Sequence, residues 1–177
     1  MSRFLDTFVP PIAKAKEDVG HRHATWIELF YDLVFVISMA RLTEFLAEHL
    51  SINGFLSFLL LFVPVWWAWV GYTMYVNRFD TDDTYSRMDT FVQMFGALLL
   101  ALFVTDALGV HANAFALSYI GIRLTLTMLY WKAYRRYPRY RKLSIPILEG
   151  FNAGIAFWII SLFFPTQIKF ILWKLAY

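Results

Sequence analysis

Long apolar stretches alternate with short polar segments along this chain. Five of them are long enough to be membrane-spanning helices, and we place these at residues 26–46, 54–76, 88–110, 113–134 and 144–164. A helix needs about 20 apolar residues to cross a hydrocarbon core of roughly 30 Å. The last segment, residues 166–177, is apolar but too short to cross, since a helix rises only about 1.5 Å per residue. The pattern predicts an all-α, polytopic transmembrane bundle over residues 26–177, with five spans and a short or partial sixth helix.

The composition narrows the class further. Hydrophobic residues make up 59% of the 177 residues and charged residues 16%, whereas soluble domains carry about 25% charged residues. The chain has no cysteine, which excludes disulfides, iron–sulfur clusters and thiolate metal sites. We expect no cleavable signal peptide, because residues 1–25 have no apolar core before a small-residue cleavage site.

Basic residues occur in alternate connections between the predicted spans. They lie in the amino-terminal segment, in the second-to-third loop and in the fourth-to-fifth loop: Arg3, Lys14, Lys16 and Arg22; Arg78 and Arg87; Lys132, Arg135, Arg136, Arg139, Arg141 and Lys142. The turns at 47–53 and 111–112 have none. By the positive-inside rule, residues 1–25 are predicted to be cytoplasmic. The basic run Arg135–Lys142 adjoins a span, so we expect it to contact anionic lipid headgroups and not nucleic acid.

The first span carries charge within its apolar sequence. Glu28 and Asp32 are four residues apart and therefore share one helix face. A carboxylate inside a membrane span costs several kcal/mol and usually faces the bundle interior or a wet path. Arg123, near the middle of the fourth span, could pair with Asp32 or with Glu149 of the fifth. Nearer the outer side, we predict a second cluster of three charged residues: Arg41, Glu44 and Asp106.

These charges allow more than one interpretation. Acids that no arginine neutralises could bind or relay a cation or a proton. Alternatively, the charges are structural ion pairs that fix the order of the helices, with Glu28 at the interface. A third alternative is that the carboxyls are protonated, since burial disfavours the charged form of an acid.

An Asp-rich motif follows the second span on the predicted cytoplasmic side. Its residues are Asn77, Arg78, Asp80, Asp82, Asp83 and Arg87. Clustered carboxylates could hold Mg²⁺ for a diphosphate substrate, and the motif is loosely similar to one in intramembrane aromatic prenyltransferases. The alternative is that Asp82 or Asp83 caps the third span. His21, His23 and Glu28 could also bind a metal, but we predict no cofactor.

Two further patterns concern packing. Trp66, Trp67 and Trp69 are predicted to fill the core and anchor the interface. Small residues in the fifth span permit close helix approach, so we expect that span to pack centrally: Gly150, Ala153, Gly154 and Ala156.

Two stretches resemble the bacterial low temperature requirement A (LtrA) family. They are RHATWIELFYDLVFV at residues 22–36 and YVNRFDTDD at residues 75–83, with Arg87 and Gln93-Met94 behind. The resemblance covers about residues 22–177 and implies a protein of the bacterial cytoplasmic membrane. Members are usually about twice this long, so the chain resembles the first half of one or a short relative. Residues 30–35 are also faintly similar to the first-span signature of a potassium-channel family, in which that helix lines the pore of an oligomer.

We therefore expect a transporter or channel for a small cation or proton, with Glu28 and Asp32 on its working face and Arg123 as counter-ion. Asp80, Asp82 and Asp83 would form a cytoplasmic gate or cap. One alternative is a Mg²⁺-dependent membrane enzyme acting on a lipid or isoprenoid diphosphate. Another is a non-catalytic assembly or sensor subunit. The expected partners are the lipid bilayer and either further copies of the chain or a second half-protein.

Overall fold

The computed structural model describes residues 26–79, 84–136, 138 and 141–175. Over these residues the chain is all-α, as predicted. The helices are α1 Trp26–Glu48, α2 Ile52–Arg78, α3 Thr84–Phe103, α4 Ala112–Arg136, α5 Arg141–Ser161 and α6 Thr166–Leu175. A 3₁₀ turn, Val104–Asp106, follows α3.

Four helical segments of the described chain are long and apolar enough to cross a membrane. They are Ile52–Arg78, Arg87–Asp106, Ala112–Arg135 and Ser144–Ser161, which is the pattern of a multi-pass membrane protein. Helix α1 has 23 residues, so its length is sufficient, but its charged side chains set it apart from the other four. A fifth span at α1, and the cytoplasmic location of the amino terminus, stay predictions.

Two predicted spans end earlier in the structure than the sequence suggested. The third was expected to reach residue 110, but α3 ends at Phe103, and beyond the 3₁₀ turn the Gly109 nitrogen donates to the carbonyl of Asp106 at 3.1 Å. The fifth was expected to reach residue 164, but α5 ends at Ser161. There the nitrogen of Leu162 donates to the carbonyl of Ile159, three residues back, and Pro165 follows, which cannot continue a helix.

The helices form a bundle in which α1 packs against α2 and α3, and α4 packs against α2, α3 and α5. Helices α1 and α3 run parallel: the Ser38 hydroxyl donates to the carbonyl of Ala97 at 3.2 Å, and the 3₁₀ turn beyond α3 contacts α1. Residues of α1 therefore lie beside residues of α3 that are 59 positions later.

Two close contacts hold α4 in place. A Cβ added at Gly96 of α3 would lie 2.4 Å from Cγ1 of Ile122, and one added at Gly71 of α2 would lie 2.7 Å from Cδ2 of Leu126. Both helices approach α4 this closely because the two positions carry no side chain.

Helix α5 lies at an edge of the bundle, so the expectation that it packs centrally is wrong. It contacts α4 and α6, and a Cβ at Gly150 would meet nothing within 4 Å. Of its small residues only Gly154 is buried, together with the large side chain of Trp158, whereas Gly150, Ala153 and Ala156 are exposed. The indole of Trp158 stacks on that of Trp173 at 4.5 Å, and Trp173 Nε1 donates to the Ser161 hydroxyl at 3.0 Å, which docks α6.

Candidate functional site

A pocket of about 150 Å³ lies between α1 and α2. We call it the inner pocket, because it lies at the end of the bundle where α1 begins and α2 ends, the end predicted to face the cytoplasm. It is lined by Glu28, Leu29, Tyr31, Asp32, Tyr72, Thr73, Val76 and Asn77. Two carboxyl groups, two phenol rings, a hydroxyl and an amide thus share one small space.

The two acids of α1 line this pocket one helical turn apart. Asp32 accepts a hydrogen bond from Nε1 of Trp69 on α2, with a nitrogen–oxygen distance of 2.9 Å. A carboxylate can accept about four hydrogen bonds, so the indole occupies one of the sites of Asp32. Glu28 lies on the same face, half-buried. The turn of α1 that begins the helix therefore turns its acidic face toward α2.

The wall of the inner pocket on the bundle side is formed by two buried tyrosines. Tyr31 is 2% exposed and Tyr72 is 3% exposed, and their ring centroids are 4.4 Å apart. The Tyr72 hydroxyl is hydrogen-bonded to the Thr90 hydroxyl on α3. The Tyr31 hydroxyl is buried and has no hydrogen-bond partner among the described residues.

Arg123 is on α4, and its side chain lies among aromatic rings of α4 and α5. Its guanidinium carbon is 4.0 Å from the ring centroid of Phe151 and 5.7 Å from that of Tyr119. The guanidinium also lies beside Gly71, since a Cβ there would be at van der Waals distance, 3.6 Å, from Nη1 of Arg123. This is cation–π geometry, which stabilises a guanidinium in an apolar setting.

The ion pairs considered for Arg123 are not formed within the described ranges. Asp32 bonds Trp69, and Glu149 is exposed on α5, away from the inner pocket. No ion pair joins Arg123 to either acid in the part of the chain that the structure describes. Arg123, which was predicted to be the intramembrane counter-ion, therefore does not pair with Asp32 on the acidic face of α1.

The predicted outer cluster divides into two separate pairs. Arg41 Nη1 contacts Glu44 Oε2 at 2.8 Å within α1, whereas Asp106 Oδ2 contacts His111 Nδ1 at 2.8 Å. Both pairs are about half exposed, so each contributes little to stability. Asp106 also lines a second pocket of about 440 Å³, the outer pocket, which is bounded by Phe45, His49, Ser51, Asn53, Gly54, Ser57, Thr105, Asp106, Leu108 and Gly109.

Only part of the Asp-rich motif lies within the described residues. Asn77 lines the inner pocket, Arg78 ends α2, and Arg87 is exposed on α3. Asp80, Asp82 and Asp83 lie outside the described residues, as do His21 and His23, so the capping and metal-binding roles considered for them stay predictions. Among the residues the structure describes, no group of three or more His, Asp or Glu side chains could hold a metal ion.

Sequence reasoning missed the roles of Trp69, Tyr31 and Thr90. The signal for Trp69 was its spacing, because residues 69, 72 and 76 recur at helical intervals and form one face. That face turns toward α1, whereas Trp66 and Trp67 are 40% and 41% exposed. No sequence signal pairs Thr90 with Tyr72, since that contact depends on how α3 packs.

The family model for bacterial low temperature requirement A protein (LtrA) matches residues 23–177. The chain belongs to the LtrA family. It is also 26% identical over 162 residues to an uncharacterized protein of Rhizobium meliloti (strain 1021), a match that covers 91% of this chain and 40% of that relative. The chain therefore spans less than half the length of this relative. No solved structure matches the present chain.

The two stretches that carry the LtrA resemblance meet in the inner pocket. Glu28, Tyr31 and Asp32 come from the first stretch and Asn77 from the second. Gln93, just behind the second stretch, is buried on α3. The two stretches thus contribute residues of α1 and α2 to one pocket, whereas Gln93 of α3 lies outside its lining.

Proposed function

We propose that this LtrA-family protein passes a small cation or a proton across the membrane, and that the inner pocket is where the ion is first bound. The observation that carries the proposal is the presence of two carboxyl groups, Glu28 and Asp32, in one pocket between α1 and α2.

The chemistry of the pocket favours a positive charge. Carboxylates within membrane spans are expensive and typically mark ion or proton paths. Asp32 has one described donor, the Trp69 indole, which carries no full charge and leaves the negative charge of the aspartate in place. Oxygen atoms of Asn77 and Thr73 add neutral acceptors to the same space, and oxygen is the ligand that hard cations prefer.

The position of Arg123 supports the same proposal. A buried arginine beside Asp32 would neutralise the acid and make a structural ion pair the simpler explanation. Its guanidinium lies instead against Phe151 and Tyr119. Arg123 therefore does not neutralise Asp32, which remains suited to a mobile ion.

Other parts of the protein complete the proposal. Asp80, Asp82 and Asp83 would form the cytoplasmic cap of the path, and the basic run Arg135–Lys142 would contact anionic lipids of the bacterial cytoplasmic membrane. Since the chain covers 40% of its relative, we propose that further copies of the chain close the complete path, so that the chain alone conducts.

Flux measurements on the reconstituted chain test this function. We would place the 177-residue protein in liposomes and follow proton, Na⁺ and K⁺ movement under imposed gradients. The parent is expected to conduct, and Asp32→Asn and Glu28→Gln to lose most of the flux because each removes a negative charge from the pocket. Glu149→Gln is the matched control, since Glu149 is exposed outside the pocket.

Three outcomes would count against the proposal. The first is a parent without flux of any ion, with the helices intact by circular dichroism; this would favour an assembly or sensor role. The second is equal loss in Glu149→Gln and Asp32→Asn. The third is Mg²⁺-dependent turnover of a lipid diphosphate by a parent that does not conduct, which would favour the enzyme.

A further inference from the structure

A line of buried polar groups continues from the inner pocket into the bundle. The Tyr72 hydroxyl, beside Tyr31, is hydrogen-bonded to the Thr90 hydroxyl on α3. One turn along α3, the side chain of Gln93 is completely buried, at 0% exposed. Its Nε2 donates to the carbonyl of Ile122 on α4 at 3.2 Å. The line thus crosses from α1 and α2 through α3 to the backbone of α4.

Two oxygens on this line lack a hydrogen-bond partner within the described chain. They are the hydroxyl of Tyr31 and Oε1 of Gln93. The bond from Nε2 to a carbonyl fixes the orientation of the amide, because Oε1 could not donate there. A buried polar atom without a partner is unfavourable, because it has lost its hydrogen bonds to water. Such atoms usually bind an ordered internal water.

The packing of α1 and α3 places Tyr31 and Gln93 about one helical turn apart along the bundle. With the offset of 59 residues, Tyr31 lies beside Thr90. Gln93 is three residues further, which is about 4.5 Å along the helix axis. A water that makes two hydrogen bonds of about 2.8 Å joins atoms up to about 5.5 Å apart.

We propose that a water molecule bound between Tyr31 and Gln93 forms the buried end of the inner pocket and makes it a site for protons and not for metal cations. This rests on the proposed function, of which it specifies the ion. Metal cations such as Ca²⁺ take about six to eight oxygen ligands at once. Along the buried line the oxygen atoms are arranged in sequence and do not surround a single point. Such an arrangement suits a proton, because a proton needs only one acceptor at each step.

The proton balance is simple. The carboxylate of Asp32 takes a proton from a hydronium ion at the pocket mouth, which becomes water, and Asp32 becomes a carboxylic acid. It gives that proton to water in the pocket, which passes one on to the bound water and forms a hydronium there. The oxygens of Tyr31 and Gln93 both accept hydrogen bonds from this ion. When the hydronium gives a proton to a further water molecule on the opposite side, the bound water is neutral again, Asp32 is a carboxylate, and neither Tyr31 nor Gln93 is changed.

Tyr31→Phe tests the water site directly. The substitution keeps the ring contact with Tyr72 and removes only a hydroxyl that has no described protein partner. We would measure proton flux with an internal pH dye, and Na⁺ and K⁺ flux in parallel, in liposomes containing the full chain. The parent is expected to pass protons and neither metal ion, and Tyr31→Phe to lower proton flux at least tenfold with thermal stability retained. Gln93→Met should lower it as well.

Tyr119→Phe is the matched control, because Tyr119 is an equally buried tyrosine, 3% exposed, outside the polar line. A purely structural Tyr31 predicts the opposite result: stability unchanged or improved by removal of an unpartnered hydroxyl, and proton flux at the parent level. That result, or equal losses in Tyr31→Phe and Tyr119→Phe, would overturn the water site while leaving transport in place. Metal-ion flux through the parent would overturn proton selectivity alone. Absence of any flux would remove the proposed function itself.

Discussion

Nε1 of Trp69 donates a hydrogen bond of 2.9 Å to Oδ1 of Asp32. This bond joins α1 to α2 at the inner pocket and ties an acid of the LtrA signature to a tryptophan that the signature does not contain. It fixes the direction of the carboxyl group, because an indole offers a single N–H in the plane of a rigid ring.

The bond between Trp69 and Asp32 should be measurable as a coupling. Trp69→Phe removes the donor and keeps an aromatic ring, and a double-mutant cycle with Asp32→Ala, which removes the acceptor, isolates the pair. Interhelical hydrogen bonds in membranes are worth about 0.6 kcal/mol on average and up to about 1.7. We expect a coupling in this range from unfolding in mixed detergent. Trp67→Phe, at a residue that is 41% exposed, should show no coupling with Asp32→Ala.

Arg123→Lys should destabilise the bundle. A lysine lacks the planar group that lies 4.0 Å from the Phe151 ring centroid. Loss of this contact should lower the free energy of unfolding by about 1–2 kcal/mol. The matched change is Arg135→Lys, whose exposed side chain is 5.7 Å from the Trp131 ring centroid. Equal effects at the two positions would show that the buried stack has no special role.

Substitution by alanine should have opposite effects on stability at Gly96 and at Gly150. At Gly96 the added Cβ would lie 2.4 Å from Cγ1 of Ile122, and overpacking of this kind typically costs about 1–3 kcal/mol. At Gly150 the Cβ would meet nothing within 4 Å, and alanine should stabilise the helix by about 0.5–1 kcal/mol. Unfolding of both variants tests this, and Ile122→Ala should rescue Gly96→Ala. A stabilised Gly96→Ala would contradict the close approach of α3 and α4.

Trp173→Ala should release α6 from the bundle. Trp173 is 0% exposed, stacks on Trp158 and bonds Ser161. Truncation of such a ring costs about 3 kcal/mol or more, and limited proteolysis should then cut within residues 162–175. Trp131→Ala, at a tryptophan that is 51% exposed, should leave the pattern of cleavage unchanged. Cleavage of both variants at the same rate would argue against the docking role of Trp173.

The helices and the family could be predicted from the sequence because both depend on local patterns. Apolar runs set the helices, and polar turns such as Ser51 and Gly109 set their ends to within a few residues. The early end of α3 could not be read in this way, because the turn after Asp106 depends on backbone bonds within otherwise apolar sequence.

The partners of the charged residues could not be predicted, for a different reason. Charge alone suggested that Arg123 would form an ion pair with Asp32 or Glu149. Which face of each helix meets its neighbour decides the outcome, and that depends on side-chain packing along the whole bundle. Phe151 occupies the place beside Arg123 where an acid was expected, and Trp69 occupies the place beside Asp32.

The inner and outer pockets lie at opposite ends of the same helices. The residues between them determine the distance over which the membrane voltage would fall. Leu42, Leu61 and Leu100 are completely buried between the two pockets. Along α1, the levels of Asp32 and Phe45 are 13 residues apart, or about 20 Å. Water filling both pockets would thus make the membrane voltage fall over about 20 Å of protein instead of the roughly 30 Å of the hydrocarbon core. A charge that crosses this leucine layer experiences the full drop, about 2.3 kcal/mol for each 100 mV.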